Sequence, residues 1–364
     1  MIKFYNSNYL KYFKEETEIF QRLIEFLDQQ LLVRTNSETI LDYLELEYGN
    51  YFGSKESQVF GHYFPIKSES FEKLKFPPNA KIVWAKKHGK VTHKDGNYYG
   101  IYHDNLVKGF YDTKKNIVTN LIRDPSYYFN ICVGVIDYLF SKTLLQKEIF
   151  RIHAACVSKD NEGMLICGSK STGKTTLLMK LLRDGYKFVA DDSAFVRFKK
   201  NGLICHPFPK TIKLNYEDLE KFPKLYQNLK YSTILTSDGI QKAIIKPEDN
   251  HFPIVTHEIP IAQIFVPSIT DSQQCNIDEI HPIPSETQYC VVDVLKRNLS
   301  FDLLIPSFRG ENLLNIDYIE NPEITKKQDL LCQQTIQSYK IKFFKIGSNI
   351  EDINIKKVLY LSDK

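Results

Sequence analysis

The segment that most constrains this chain is Gly168-Ser169-Lys170-Ser171-Thr172-Gly173-Lys174-Thr175, a complete GxxxxGK[ST] pattern. It follows the apolar run MLIC and opens the amphipathic run TTLLMKLLRD. Strand, glycine loop and helix in that order commit this part of the chain to an α/β architecture. Glycines let backbone N–H groups converge on phosphate oxygens, and the helix N-terminus adds its positive dipole end. The pattern assigns the loop, Gly168 to Thr176, to a nucleoside triphosphate. Lys174 is expected at the β- and γ-phosphates and the Thr175 hydroxyl on Mg²⁺.

Asp191 and Asp192 close the next apolar run, YKFVA. In a parallel sheet, ligands gather at the carboxyl ends of strands, so both acids are expected beside the phosphates. One acid there can hold the metal and the other can accept a proton from an attacking hydroxyl. The competing reading is a solvated turn.

Composition narrows the class without naming it. Of 364 residues, 43% are hydrophobic and 25% charged, ordinary for a globular chain. The net charge of +4 comes from mixed lysines and acids, which argues for neither nucleic acid nor membrane as partner. The aromatic N-terminal runs lack basic interleaving, so they read as core rather than a base-stacking platform. Seven cysteines without CxxC pairs suggest a reducing, cytoplasmic setting with neither a disulfide framework nor a zinc site. The opening residues MIKFYNSNYLKYFKEE carry no signal-peptide core. The longest apolar run, ICVGVIDYLF, is short of a membrane span and is broken by Asp137.

Two modules are expected. Residues 1–123 read as a mixed α+β, strand-rich module. In it, TEIFQRLIEFLDQQLL has helical spacing, and a Thr35–Glu38 capping box opens a helix that stops at Gly49. KIVWAKK, NYYGIYHD and KGFYDTKKNIVTNLI read as strands, with a turn at Asp95-Gly96. Asp124-Pro125 marks the boundary and the start of a helix to about Lys147. Residues 124–364 then read as the α/β domain, with IFRIHAACV, MLICG, YKFVADD, PIAQIFVP and YKIKFFKI as strands. A hairpin is expected around Asn201-Gly202 and a helical tail at NIEDINIKKVLYL.

With these residues in hand, the stretch Arg151–Arg197 resembles the catalytic domain of HPr kinase/phosphorylase. It is still more similar to the HPr-kinase-related serine kinases that tailor ribosomally made peptides. His153 stands 15 residues before Gly168, and Ala190-Asp191-Asp192 places its first acid 23 residues after that glycine. Both spacings match the family, as does Arg183-Asp184-Gly185 after the helix. The resemblance implies a P-loop HPr-kinase-like catalytic fold that uses ATP and Mg²⁺. It makes Asp191 the base toward the acceptor, sets His153 near the phosphates, and gives Asp192 with Thr175 to the metal. It also implies a peptide or protein acceptor with a Ser/Thr hydroxyl, and it accommodates a homo-oligomer. Thr176 stands where HPr kinases carry a glutamate, which weakens HPr itself as the substrate.

Other signals are open. Lys210 and Lys213 fit a phosphate or acidic-substrate contact as well as a solvated loop, and Arg309 fits a phosphate contact or a surface arginine. Cys205-His206 lacks further ligands at metal spacing. Two rivals stand beside the peptide kinase: a small-molecule hydroxyl kinase with the same site, and a non-catalytic NTP-binding regulatory protein. An LSGGQ-like signature and an [NT]KxD motif are both missing, which excludes an ABC ATPase and a GTPase.

Overall fold

In the computed structural model, residues 19–55, 57–67, 77–86, 89–102, 107–123, 128–168, 171–235, 240–270, 272, 274–279, 322–339, 341–353 and 355 are described. Their chain divides between Phe140 and Ser141 into two compact units. The boundary expected at Asp124-Pro125 and the start of its helix lie outside the described residues.

The first unit contains β1 (Phe20–Phe26), β2 (Gln29–Thr35), α1 (Glu38–Tyr48), β3 (Val59–Lys67), β4 (Lys81–Lys86), β5 (Gly89–Lys94), β6 (Asn97–Tyr102), β7 (Val107–Asp112) and β8 (Ile117–Ile122). Most of α2 (Tyr128–Leu145) belongs to it as well. The strands form one sheet in the order β1-β2-β3-β8-β7-β6-β5-β4. Tyr48 donates to Asp137 Oδ1 at 2.8 Å, which satisfies the acid buried within α2. Phe140 meets Phe26 and Phe60 edge-on.

Two expectations fail here. The stretch expected as a helix is the β1–β2 hairpin, closed by Leu27 (φ 48°) and Asp28 (φ 61°). Positive φ at both loop positions suits the twist of paired strands, but Leu-Asp is not a sequence signal for it. Because β2 lies between β1 and β3 and is buried along most of its length, its apolar residues do not alternate, and the strand pattern is hidden. The capping box also does not form. Ser37 is the N-cap and makes no side-chain cap bond, while Thr35 Oγ1 accepts the Ser37 N–H at 3.2 Å.

The second unit contains β9 (Phe150–Ile152), β10 (Ala154–Lys159), β11 (Glu162–Cys167), α3 (Lys174–Arg183), β12 (Lys187–Ala190), β13 (Ala194–Lys199), β14 (Gly202–His206), β15 (Ile212–Asn215), α4 (Tyr216–Lys221), β16 (Ser232–Leu235), β17 (Gln241–Ile245), β18 (Ile259–Ile269), β19 (Asn276–Glu279), α5 (Pro322–Ser338) and β20 (Ile341–Ile346). The main sheet runs β12-β10-β11-β18-β14-β13-β9, with β20 beside β18 and β19 beside β20. β15, β17 and β16 make a small second sheet. Where a helical tail is expected, Ser348–Glu351 forms a 3-10 turn and Ile355 is helical, while residue 354 and residues 356–364 lie outside the described residues.

This unit is α/β, with strands predominating, and the main sheet is mixed. β11, β18 and β20 are parallel, while β10 runs antiparallel between β11 and β12. Strand residues alternate between two cores. Ala155, Val157 and Ile166 join the leucines of α3, whereas Cys156, Leu165 and Ile264 join Leu331 and Cys332 of α5. Among the described residues, no helix is long and apolar enough to cross a membrane. Cys132, Cys156, Cys167, Cys205, Cys275 and Cys332 are free thiols.

Phe188 of β12 is fully buried in the α3-side core. Truncation there removes a large ring and leaves a cavity. Phe188→Ala should therefore cost about 3–5 kcal/mol of stability in denaturant unfolding. A loss under ~1 kcal/mol would show that the site strand is not held by this core.

Candidate functional site

Three chain segments meet at one edge of the main sheet. Ala154 of β10 lies opposite Cys167 of β11, so His153 and Gly168 come to the same edge. Cys156 lies opposite Ala190 of β12, which brings Asp191 there too. The last residues of β18 and β20 abut the loop. A Cβ placed on Gly173 would lie 2.6 Å from Ile346 Cδ1 and 3.1 Å from Ile269 Cγ1. Gly173 has φ 98°, so both its conformation and its closeness to these isoleucines require glycine.

The chain crosses this edge twice, once through His153 between β9 and β10 and once through Asp191–Ser193 between β12 and β13. Ile152 pairs with Ala194 just beyond, and Arg151 Nε donates to Ser193 Oγ at 2.9 Å. His153 Nδ1 lies 3.0 Å from the Asp192 carbonyl oxygen and 3.4 Å from Asp192 Oδ1. Burial lowers the His153 pKa to about 4, although Asp192 pulls it the other way. The ring is therefore neutral at pH 7. A carbonyl only accepts, so Nδ1 carries the proton and Nε2 keeps its lone pair.

The Ser193 N–H donates to the Asp191 carbonyl at 2.7 Å, forming a three-residue turn with Asp192 at φ 65°. Left-handed backbone is uncommon outside glycine, although aspartate tolerates it better than most residues. Such strain persists where the surroundings enforce it, often at functional sites.

The two acids differ in environment. Asp191 is only 4% exposed, whereas the Asp192 side chain is 29% exposed. Burial raises the Asp191 pKa to about 7, and the neighbouring Asp192 charge adds to the rise. Lys213 opposes it with a weak N–H contact to Oδ2 at 3.4 Å, and the Lys213 and Lys174 ammonium groups oppose it as well. A carboxyl poised near neutrality is suited to exchanging protons at pH 7.

On the loop, Lys174 is buried and its Nζ donates to the Gly168 carbonyl at 2.9 Å. Burial lowers its pKa while Asp192 and Asp191 raise it, which places the ammonium within the field of both acids. A Cβ on Gly168 would come within 2.5 Å of Thr172 Oγ1, so the loop is tightly folded. Ser171 is exposed at φ 66°, Thr175 is half-buried and Thr176 is buried. Ser169 and Lys170 lie outside the described residues, as does Arg309.

The structure thus brings Lys174, His153, Asp191 and Asp192 together. It adds residues that the sequence reading passed over. Arg151 and Ser193 tie the two crossings, and a lone arginine in the apolar run IFRIHAACV was the available signal for one of them. Tyr226 lies close enough for Asp191 and Thr176 to act on its buried phenol, whose pKa burial raises. Its place in the chain, far from the loop, carries no sequence signal. Lys210 and Lys213 are buried beside Asp191's strand rather than solvated.

Asp191 and His153 leave opposite signatures on stability. Between the ordinary value of 3.8 and about pH 7, folded Asp191 keeps a proton that the unfolded chain has lost, so stability falls as pH rises. Between about 4 and 6.5, the unfolded chain protonates His153 and the folded chain does not, so stability rises with pH. Asp191→Asn removes only the first effect. Its stability relative to the parent should climb from pH 4 to pH 8 in denaturant titrations; parallel curves would contradict a raised Asp191.

No family model matches this sequence, and no curated protein matches it. Among solved structures, the Hpr(Ser) kinase/phosphatase from Coxiella burnetii is similar over 58% of this chain and 98% of that one. The sequence identity is 13% and the TM-score 0.25, a distant likeness, and what the site can do follows from its own residues.

Proposed function

We propose that the chain is an ATP- and Mg²⁺-dependent kinase that transfers the γ-phosphoryl group to a serine or threonine hydroxyl of a peptide or protein. The observation that carries this reading is the buried Asp191, poised near neutrality at the sheet edge that also presents the glycine loop and Lys174. A protein that only binds nucleotide has no use for a desolvated second acid at that place. The resemblance to peptide-tailoring kinases makes a ribosomally made precursor peptide the favoured acceptor.

The loop N–H groups and the α3 N-terminus would hold the triphosphate, with Lys174 at its β- and γ-phosphates. Among the described residues, no cluster of three or more His, Cys, Asp or Glu side chains could hold a metal by itself. Mg²⁺ does not require one, since it is commonly bound through one or two carboxylates, waters and substrate phosphates. The half-buried Thr175 hydroxyl and the partly exposed Asp192 fit that donor set. When bound, the ion neutralises charge on the phosphates. Neutral His153, holding the Asp192 main chain, would keep that carboxylate in place. Asp191 would take the hydroxyl proton as the new O–P bond forms and the bond to the β-phosphate oxygen breaks, releasing ADP.

Residues 1–123 hold none of these groups and are proposed to recognise the acceptor. The free cysteines accord with a reducing, cytoplasmic setting.

Incubation with Mg·ATP and candidate peptides, read by intact mass, tests the class. Lys174→Ala should abolish nucleotide binding or turnover. Asp191→Asn should slow transfer by ~10²–10⁴ while nucleotide binding persists. Asp192→Asn should be partly rescued by excess Mg²⁺ and Asp191→Asn should not. Rescue of Asp191→Asn alone would reverse the two roles, and full transfer by both variants would refute the kinase.

A further inference from the structure

The segment Pro207–Leu214 carries two charges, Lys210 and Lys213, and both are buried, at 4% and 9% exposure. Lysine is seldom buried to this degree without an anionic or polar role. The segment is fixed to the strand that bears the base. Phe208 N–H donates to the Val189 carbonyl at 3.2 Å, and Lys213 N–H reaches Asp191 Oδ2 at 3.4 Å. Pro207 and Pro209 restrict its backbone further. On β15, Ile212 and Leu214 enter the α3-side core, so Lys213 between them projects from the other face. Lys210 Nζ lies 5.0 Å from the centroid of the fully buried Phe208 ring.

Lys174 and the loop already provide for the triphosphate. A further pair of ammonium groups comes on a separate segment, whose main chain reaches the base. We infer that Lys210 and Lys213 form an anion subsite for the acceptor: the hydroxyl that meets Asp191 belongs to a molecule with a carboxylate or phosphate close to that hydroxyl. This rests on the kinase reading above. Both lysines also interact with other groups in the folded chain. The flexible four-carbon stem lets an ammonium exchange such contacts for a ligand anion.

Calorimetry on the full chain tests the subsite with two decapeptides, one with aspartate on each side of its serine and one with asparagine there. Binding is measured with and without saturating Mg·AMPPNP. The acidic peptide should bind about tenfold or more tighter, as expected for hydrogen bonds to charged groups. Lys210→Gln and Lys213→Gln should each remove most of that preference without changing AMPPNP affinity. Lys213→Arg, which keeps the charge, should retain it and so separates charge from fold. Equal affinity for the two peptides overturns the inference. So do lysine variants that weaken AMPPNP and spare the peptide preference. If AMPPNP fails to bind the parent chain, the kinase reading falls, while the peptide comparison without nucleotide still decides the subsite.

Discussion

Phe188 of β12 enters the core beneath α3, while Val189 and Ala190 enter the core beneath α5, and none of the three is exposed to solvent. The strand that delivers Asp191 is thus clamped from both faces of the sheet. Its register against β10 shifts between Cys156 and Val157, so its last two residues share one core. Asp191 follows directly. It shares the burial of the strand, which raises its pKa. Asp192, one residue later, stands at a left-handed turn with solvent within reach. A single peptide step separates a buried acid from a partly exposed one, and the different roles proposed for them rest on that step.

The same sheet edge fixes the other half of the site. The leucines of α3 lock that helix to the face of β10 and β11, which in turn holds the glycine loop at the end of β11. Lys174 is consequently buried beside two acids, a costly position for an ammonium without compensation. Its bond to the Gly168 carbonyl and the field of the acids stabilise it there. His153 links the two halves because it precedes β10 and touches the Asp192 main chain. Its neutrality spares the site a further positive charge.

Much of this was legible in the sequence. The loop, the helix after it and the acids at the next strand end are local features, set by glycine placement and short apolar runs. The hairpins at Asp95-Gly96 and Asn201-Gly202 carried their own turn residues. What stayed hidden depends on tertiary packing. The β1–β2 hairpin turns on Leu27-Asp28, a pair with no turn signature, and β2 is covered by its neighbours. Nothing in the order of residues places Tyr226 near Asp191. Lys210 and Lys213 stay open between an anion contact and a solvated loop, because only the folded chain shows their segment bonded to Val189 and Asp191. The mixed direction of the main sheet was equally invisible, since strand order is a long-range property.

Burial holds the Asp191 carboxyl near neutral pH beside the glycine loop. The most direct measurement is the carboxyl ¹³C chemical shift of Asp191 followed through a pH titration of the full chain, assigned by its loss in Asp191→Asn. A midpoint near 7 is expected. A midpoint near 4, the range of an ordinary solvated aspartate, would contradict it.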